Sequence, residues 1–246
     1  SSGGGGGGKP IALDLNNNGF TFTDVNDSDI FYDINGDGFR HRTAWPTSDD
    51  GLLAYDLDGN GIIEKQGEIS FTSYLPGAQT DLEGLNAFDT NHDGVLSSAD
   101  EKWAKFGVWQ DADQDGITDS GEFRSLSELG IQSMALTSDN QFAVVDGQTV
   151  HGIGTVTKTD GSTLNFADVT LRYTNDVLVQ NADGTTQVVL REPFSPSGEE
   201  LTGTEDNDLI LGKTGNNLVY GYGGDDVVFE DGGNDFVDGG TGNDTI

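Results

Sequence analysis

Five stretches in the first half of the chain repeat one pattern of acid and amide residues, Asp-x-Asx-x-Asx-Gly. Each places short oxygen-bearing side chains at positions 1, 3 and 5, and a glycine at position 6 where the chain must turn sharply. Calcium is a hard cation that takes about six to eight oxygen ligands, so the pattern predicts five Ca²⁺-binding loops. The side chains at positions 1, 3 and 5 are Asp14, Asn16 and Asn18 in loop one, Asp33, Asn35 and Asp37 in loop two, Asp56, Asp58 and Asn60 in loop three, Asp89, Asn91 and Asp93 in loop four, and Asp111, Asp113 and Asp115 in loop five.

Loops four and five also carry an acid at position 12, where an EF-hand loop places its closing ligand. Loop five matches the EF-hand pattern in full, because Ile117 at position 7 can offer its carbonyl, Asp119 stands at position 9 and Glu122 at position 12. Loop four ends with Asp100, which has a shorter side chain than the usual Glu. We therefore expect both loops to bind Ca²⁺.

Loops three, two and one depart from that pattern at their ends. Loop three has Glu64 at position 9, and Glu68 at position 13 stands one residue late. Loops one and two have no acid at position 12, so their remaining ligands must come from elsewhere in the fold. Three acids are candidates for that role: Asp24, Asp49 and Asp50.

The C-terminal part of the chain, from residue 203 to residue 246, has a nine-residue period with an acid or amide at position six and a branched aliphatic at position eight. This is the nonapeptide pattern of the RTX parallel β-roll, in which a glycine-rich turn precedes a short strand. The carboxylate of one turn is expected to share Ca²⁺ with the neighbouring turn, and the aliphatic residue is expected to stack in a narrow core. The predicted carboxylate ligands are Asp208, Asp226, Asp235 and Asp244, with Asn217 at the same position of the second repeat.

Composition supports calcium as the partner of these acids. The 246 residues include 11 Lys and Arg against 43 Asp and Glu, a formal net charge of −32, and no Cys. Such acidity excludes partners that present phosphates, namely nucleic acids and anionic membranes, and the lack of Cys excludes disulfides and thiolate chemistry. Five loops and four roll positions would take about nine Ca²⁺ and cancel about 18 negative charges. We therefore expect the chain to fold when calcium is supplied, after export from the cell.

The residues around loops four and five predict helices. Three Ser/Thr-x-x-Glu capping boxes lie there: Thr80 with Glu83, Ser98 with Glu101, and Ser125 with Glu128. Gly130 is a predicted helix C-cap, so residues 80–130 are predicted to form three helices alternating with the two loops, as a paired EF-hand unit. Four large apolar residues in this stretch are predicted core residues: Trp103, Phe106, Val108 and Trp109.

The rest of the first 192 residues predicts strands. Segments 11–15, 31–34 and 52–57 each run directly into a calcium loop. Two hairpins are predicted, one joining 150–158 to 162–166 through Asp160-Gly161 and the other joining 177–181 to 185–190 through Asp183-Gly184. The predicted fold class is an α+β calcium-loaded domain with EF-hand-like loops, followed by an all-β parallel β-roll.

These patterns divide the chain into four predicted parts. A Gly-rich linker covers 1–8, the calcium-binding domain covers 9–192, a Pro- and Ser-containing linker covers 193–200, and the β-roll covers 201–246. Since the fifth repeat is incomplete, we expect the roll to continue beyond it.

Three segments resemble the self-processing module of iron-regulated RTX proteins: DDGLLAYDLDGNGIIEKQGE (49–68), FGVWQDADQDGITDSGEFRSLSELGIQSMAL (106–136) and TKTDGST (157–163). The resemblance covers roughly residues 9–175. It implies a secreted RTX protein in which calcium triggers scission of an Asp-Pro bond at the start of the module. In that family the Asp side chain attacks its own carbonyl to form an anhydride, which a Lys amine can capture.

The chain departs from the family where that chemistry occurs. The family's Asp-Pro bond aligns with Lys9-Pro10, and Lys9 cannot supply a carboxylate. The chain has five Pro, and none of them follows an Asp. Large RTX adhesins carry a similar-looking domain before their C-terminal roll, where it binds peptides or proteins on other cells.

The sequence and the resemblance together support three hypotheses. The first is a non-enzymatic, calcium-dependent ligand-binding domain of a secreted RTX adhesin at the bacterial cell surface, acting as a monomeric module within a larger protein. Its ligand would be a peptide or protein on another cell, bound through a C-terminal carboxylate at loop one or loop two, with no nucleic acid and no membrane insertion. The second is a self-processing module blocked by Lys9. The third is a calcium-stiffened spacer.

Overall fold

Strands dominate the residues that the structure describes, which are 8–180, 185–191, 200–212, 215–229 and 232–246 of this computed structural model. Strands account for 39% of them and helical turns for 10%, so the chain is mostly β. The strands are β1 Ile11–Asp14, β2 Phe22–Thr23, β3 Phe31–Tyr32, β4 Arg40–Thr43, β5 Trp45–Pro46, β6 Gly51–Tyr55, β7 Val95–Ser97, β8 Phe106–Trp109, β9 Phe123–Ser125, β10 Ile131–Ala135, β11 Ala143–Val145, β12 Gln148–Lys158, β13 Thr163–Thr170, β14 Tyr173–Gln180, β15 Thr186–Arg191, β16 Glu200–Thr202, β17 Asp208–Leu211, β18 Leu218–Tyr220, β19 Val227–Phe229 and β20 Phe236–Asp238.

The helical segments are short. The α-helices in the described residues are α1 Gln66–Ile69 and α2 Asp81–Gly84, each of four residues. The 3₁₀ turns are Val25–Asp27, Thr72–Tyr74, Leu85–Phe88 and Trp103–Lys105. None of the helices in the described ranges combines the length and the apolar character needed to cross a membrane.

A nine-stranded antiparallel sheet adjoins calcium loops one, three, four and five. Its order is β7-β10-β12-β13-β1-β6-β8-β9, with β11 paired to β12. Strand β1 lies between β13 and β6, and its side chains alternate between two hydrophobic clusters, because successive residues of a strand point to opposite faces. Ile11 and Leu13 belong to one cluster and Ala12 to the other. Loop one comes directly after this central strand, so its first ligand position is fixed by the core of the sheet.

A second sheet joins the domain to the nonapeptide repeats. Its order is β19-β17-β15-β14-β4-β3, and β15 pairs with β17 in parallel. Strands β16, β18 and β20 form a separate parallel sheet. Phe31 of β3 packs in one cluster with the repeat residues Ile210, Val219 and Val228. The hydrogen-bonded ladder and the apolar contacts are therefore continuous across the two regions.

The prediction of an α+β domain is wrong, since helical turns are few and short. One half of the capping box at Thr80 forms, with Glu83 N donating to Thr80 Oγ1 at 3.3 Å, while the Glu83 carboxylate accepts from the amide of Gln79, and α2 stops at Gly84. Ser125 and Glu128 hydrogen-bond reciprocally, but β10 begins at Ile131 and leaves no room for a helix.

The segment after Ser98 illustrates the physical reason. Residues 98–102 form a turn, and Phe106–Trp109 is a strand whose four residues are all buried. Strand β8 pairs with β6, with Leu52 opposite Trp109. A capping box specifies only the first turn of a helix, whereas the pairing of distant strands decides the conformation of the residues after that turn.

Most strand predictions are confirmed. Segments 11–15 and 31–34 contain β1 and β3, segment 52–57 overlaps β6, and the hairpin of β12 and β13 turns at Asp160. Strands β14 and β15 pair as predicted, while the turn between them lies outside the described residues. Trp103, Phe106, Val108 and Trp109 are buried as predicted. The proposed linkers at 1–8 and 193–200 fall almost wholly outside the described residues, and the domain boundaries stay a prediction.

Candidate calcium sites

The five loops adopt one backbone conformation. The residue at position 4 lies in the left-handed region in every loop: Asn17 (φ 59°), Gly36 (φ 74°), Gly59 (φ 79°), His92 (φ 59°) and Gln114 (φ 63°). The glycine at position 6 also has a positive φ, between 70° and 96°. Glycine is required there because this conformation is costly for residues with a Cβ atom. Loops one and two therefore share the conformation of the loops that carry their own closing acid.

The aspartate at position 1 makes the same hydrogen bond in all five loops. Its Oδ2 accepts from the amide of the position-6 glycine at 2.9 to 3.1 Å. This bond folds the loop around the acid, and in loops three and five three carboxylates come within 4.8 Å of one another. Such an arrangement of oxygens is the one that Ca²⁺ loops use.

Loop five gathers the most acids. Carboxylate oxygens of Asp111, Asp113 and Glu122 lie within 4.8 Å of one another, and those of Asp113, Asp115 and Asp119 do so as well. Glu122 accepts from the amide of Ala112 at 2.7 Å and from the amide of Asp119 at 3.0 Å. Burial, together with the charges of Glu122 and Asp115, raises the pKa of Asp111 to about 6. A cation among these groups would relieve their repulsion.

Loop three is closed by Glu68. The three acids that converge there are Asp56, Asp58 and Glu68. Although Glu68 comes one residue late, α1 turns its fully buried side chain back into the loop, where it accepts from the amides of Leu57 (3.2 Å) and Glu64 (3.0 Å). The side chain of Glu64, in contrast, is exposed and lies 3.9 Å from Lys65 Nζ. The structure thus brings Glu68, and not Glu64, to the centre of the loop.

Loop four is closed by the shorter acid. Asp89 and Asp100 are both buried. Asp100 accepts from the amide of Thr90 and from the amide of Ser97, each at 2.8 Å. These amides belong to positions 2 and 9 of the loop, the same positions that the closing acids of loops three and five engage. The side chain of Asp100 therefore reaches the place that a Glu occupies in a standard EF-hand loop.

In loop two, no acid accepts from the amide of the residue at position 2, Ile34. The amide of Ile34 donates instead to the backbone carbonyl of Tyr32 at 2.9 Å. Asp33 has a buried Oδ1 with no hydrogen-bond partner. His41, which sequence reasoning missed, lies 3.0 Å from Asp37 Oδ2 through its Nε2 atom. Its spacing of four residues from Asp37 was the available signal.

Of the three acids considered for loops one and two, the structure places two away from both loop centres. Asp24 caps the 3₁₀ turn of Val25–Asp27 by accepting from the amide of Asn26, and Asp49 is exposed. Asp50 is buried and accepts from the amide of Thr21, inside loop one, at 3.0 Å.

A cleft of about 280 Å³ adjoins loop two. Its polar lining comes from Lys9, Asn35, Gln66, Ser70, Thr72 and Gln79. The amide of Gly8 donates to the carbonyl of Ile34 at 3.1 Å, and Lys9 Nζ donates to the carbonyl of Gln79 at 2.5 Å. The segment around Lys9 and Pro10 is thus held against a calcium loop.

The nonapeptide repeats stack their acids on one another. The amide of Asp208 donates to Asp226 Oδ1 at 2.9 Å, and the amide of Asp226 donates to Asp244 Oδ1 at 3.1 Å. On the other side, the amide of Asn217 donates to Asp235 Oδ1 at 2.8 Å. Burial, with the charge of Asp226, raises the pKa of Asp208 to about 7. Like charges stacked at this depth require a counter-ion.

The turns of the repeats fit the cation that the pattern predicts. A Cβ atom at Gly221 would lie 2.2 Å from Asp226 Oδ2, an oxygen that is buried and has no hydrogen-bond partner. The donor atoms are all oxygens, which suits calcium and not a soft transition metal. In the upstream loops the unpartnered Oδ1 atoms of Asp33 and Asp50 offer the same chemistry.

Comparison with known families agrees with both parts of this geometry. Residues 11–172 match the SPM domain, and residues 202–229 and 231–246 match the RTX calcium-binding nonapeptide repeat. The chain belongs to the SPM domain family. It is therefore an RTX protein whose repeats bind calcium, and its SPM domain is related to the self-processing modules of RTX proteins.

One relative of this SPM protein is the iron-regulated protein FrpA of Neisseria meningitidis serogroup C. The two are 38% identical over 172 residues, which cover 68% of this chain and 15% of FrpA. The chain thus spans a small part of the length of that relative. The match to the SPM domain begins at Ile11, directly after Lys9 and Pro10.

Proposed function

We propose that this SPM domain is a non-enzymatic, calcium-dependent binding domain for a peptide or protein ligand, within a secreted RTX adhesin that attaches to other cells. The calcium loops and the RTX repeats support the calcium dependence, and the lack of an Asp-Pro bond in this sequence supports the non-enzymatic interpretation. Secretion is proposed because calcium-dependent folding of so acidic a chain suits the outside of the cell.

The observation that carries the proposal is the pairing of loop two with the cleft. Asn35 at position 3 lines the cleft, and Asp33 at position 1 keeps one buried oxygen without a hydrogen-bond partner. The position-2 amide of this loop is engaged by the backbone and not by an acid. A Ca²⁺ held by Asp33, Asn35 and Asp37 would therefore keep a coordination position for a carboxylate that enters from the cleft.

Lys9 supports the same ligand chemistry. Lys9 lines the cleft, in a chain that has 43 acidic and 11 basic residues. An anionic ligand would be repelled by most of this surface, so its binding needs local positive charge. The C-terminal carboxylate of a peptide could accept from Lys9 Nζ while one of its oxygens coordinates the ion.

Calorimetry with a library of short peptides tests this proposal. We expect peptides with a free C-terminal carboxylate to bind in Ca²⁺, and the same peptides to lose binding when they are amidated or when EDTA is added. Lys9→Ala should weaken binding roughly fivefold, because a partly exposed charge-assisted hydrogen bond is lost. Lys102→Ala removes an exposed lysine elsewhere and should leave binding unchanged.

Two outcomes would count against the proposal. Equal binding of amidated and free-acid peptides would remove the role of the carboxylate. Failure of every peptide and cell-surface extract to bind would favour a calcium-stiffened spacer instead.

The match to the SPM domain favours self-processing as a second candidate function. Lys9 lies near Asp168, a buried acid whose pKa is raised by burial to about 6 and lowered in part by hydrogen bonding from Thr80 and by the Lys9 charge. If the scaffold retains the chemistry of its relatives, Lys9→Asp should restore cleavage before Pro10 when Ca²⁺ is added. The test is a denaturing gel with Lys9→Asn as control, and an intact Lys9→Asp chain would end this interpretation.

A further inference from the structure

Loop one has no closing acid of its own, yet its backbone matches the loops that do. In loops three, four and five one acid accepts from the position-2 amide and from the position-9 amide of its loop. Those acids come from the same loop or from the residue just after it. The corresponding amides of loop one are those of Leu15 and Phe22, so an acid beside Leu15 would occupy the closing place.

Asp50 occupies that place from another strand. Strand β6 runs antiparallel to β1, with Leu13 opposite Gly51, and this register sets Asp50 beside Asp14. The carboxylate of Asp50 accepts from the amide of Thr21 at 3.0 Å and lies beside the amide of Leu15. The side chain thus bonds to position 8 of the loop and lies beside position 2.

One oxygen of Asp50 remains available for a further ligand. Asp50 is 1% exposed and Asp14 is 2% exposed, so two carboxylates approach each other out of contact with water. Asp50 Oδ1 is buried and has no hydrogen-bond partner. An unpartnered carboxylate oxygen beside a second buried acid is costly unless a cation binds between them.

We propose that Asp50 is the closing ligand of loop one, so that Asp14, Asn16, Asn18 and Asp50 hold a single Ca²⁺ between strands β1 and β6. The neighbouring acid Asp146 takes the remaining amide, since its Oδ2 accepts from Phe22 at 3.0 Å, and it is itself exposed. Asp50 therefore combines two ligand-like features, a buried free oxygen and a position beside the position-2 amide. The ion would fasten two central strands that are far apart along the chain.

This assignment also separates the roles of the first two loops. Under this assignment loop one is a closed structural site, whereas loop two keeps the open coordination position that we proposed for a ligand in the cleft. The inference rests on loop one alone and does not depend on the proposed ligand.

Native mass spectrometry of the whole chain at saturating Ca²⁺ tests the proposal with a matched pair of variants. Asp50→Asn should bind one ion fewer than the unmodified chain. Asp49→Asn makes the same change of charge at the adjacent exposed residue and should keep the full number. An unchanged ion count and unchanged calcium affinity in Asp50→Asn would overturn the assignment, as would the loss of an ion from both variants.

A second measurement uses the unmodified chain in case Asp50→Asn does not fold. In crystals grown with Ca²⁺, anomalous scattering should place an ion at about 2.3–2.6 Å from Asp50 Oδ1 and from a carboxylate oxygen of Asp14. An ion in loop one that does not touch Asp50, or a loop one without an ion, would show that Asp50 has another role.

Discussion

The upstream loops and the nonapeptide repeats present the same oxygen chemistry in two different settings. Loops one, three, four and five adjoin a nine-stranded sheet covered on both faces by large hydrophobic clusters that contain Trp109 and Phe106, and loop two lies between β3 and β4 of the second sheet. The repeats bury a single narrow row of aliphatic side chains, and their acids stack on residues 18 positions away. Apolar burial contributes most of the stability of a folded domain. We therefore expect the hydrophobic core to support the loops without calcium, and the repeats to depend on the ion itself.

The two settings also differ in how a site is assembled. Loops three, four and five take their acids from about a dozen consecutive residues, so each site can form by itself. In the repeats one carboxylate serves two turns, as Asp226 does between Asp208 and Asp244. Sites that share ligands are expected to fill and empty together.

Removal of calcium should give the largest effect. In EDTA we expect the strands β17 and β19 to lose protection from hydrogen exchange completely, because their stacked acids then repel one another. Strands β1, β6 and β13 should keep part of their protection, since they lie between the two hydrophobic clusters. Exchange measured by mass spectrometry checks this, with excess Ca²⁺ restored as the control. Equal loss in both regions would refute the contrast.

Removal of one shared acid in the repeats should give the next largest effect. Asp226→Asn is expected to lower the number of bound Ca²⁺ by more than one, because the buried carboxylate contacts the turns on both sides. Asp206→Asn changes an exposed acid of the same region and serves as control. Ion counting by native mass spectrometry would contradict the idea of shared sites if Asp226→Asn loses a single ion.

Removal of one closing acid in a loop should have a local effect. Glu122→Gln is expected to remove one ion and to lower the free energy of unfolding in Ca²⁺ by about 3 kcal/mol, through the loss of ligand binding. Glu64→Gln should leave both quantities unchanged, since that side chain is exposed beside Lys65. Urea unfolding in saturating Ca²⁺ measures the difference, and matching midpoints for the two variants would show that Glu122 does not close loop five.

Changes of pH should give the smallest effect, and they should act in opposite directions on the two forms of the protein. Burial raises the pKa of Asp208 to about 7 and that of Asp111 to about 6, above the unfolded value of 3.8. Around Asp111, where the hydrophobic core supports the fold without Ca²⁺, the folded state then binds protons that the unfolded chain has released, so its stability falls as pH rises from about 4 to about 7.

Calcium competes with those protons for the same oxygens. The affinity for Ca²⁺ should therefore drop about tenfold for each site acid of pKa near 7 when the pH is lowered from 8 to 6. The repeats should respond more than the loops, because the pKa of Asp208 is the higher of the two. Titration with a calcium electrode at several pH values checks the slope, and a pH-independent affinity would contradict it.

The sequence predicted the features that depend on local pattern. The positions of the loops, the strands that lead into loops one to three, and the burial of Trp103 and Trp109 could be predicted from spacing and residue type. The lengths of the helices could not be predicted from spacing and residue type. The capping box at Ser125 does form, but the pairing of β10 with β7 and β12 ends the segment after one turn.

The closing acids show the same limit. Glu68 stands at position 13, so a rule that requires the closing acid at position 12 misses it. The rule does not include the turn made by α1, which brings the Glu68 side chain back into the loop. For loops one and two the sequence offered Asp24, Asp49 and Asp50 without a way to choose among them. The choice depends on the register between β1 and β6, which brings together residues from distant parts of the chain.

The hydrogen-bonded pairing of β15 with β17 gives the repeats a strand edge on which their folding can begin. Because β15 is already held by β14, it presents a row of backbone donors and acceptors before any repeat has folded. Assembly of the roll can then proceed as seeded growth, one turn at a time away from the SPM domain, without the slow first step that an isolated array must overcome. If the chain is pulled, the force would pass between the SPM domain and the repeats through this same pair of strands, β15 and β17, as shear.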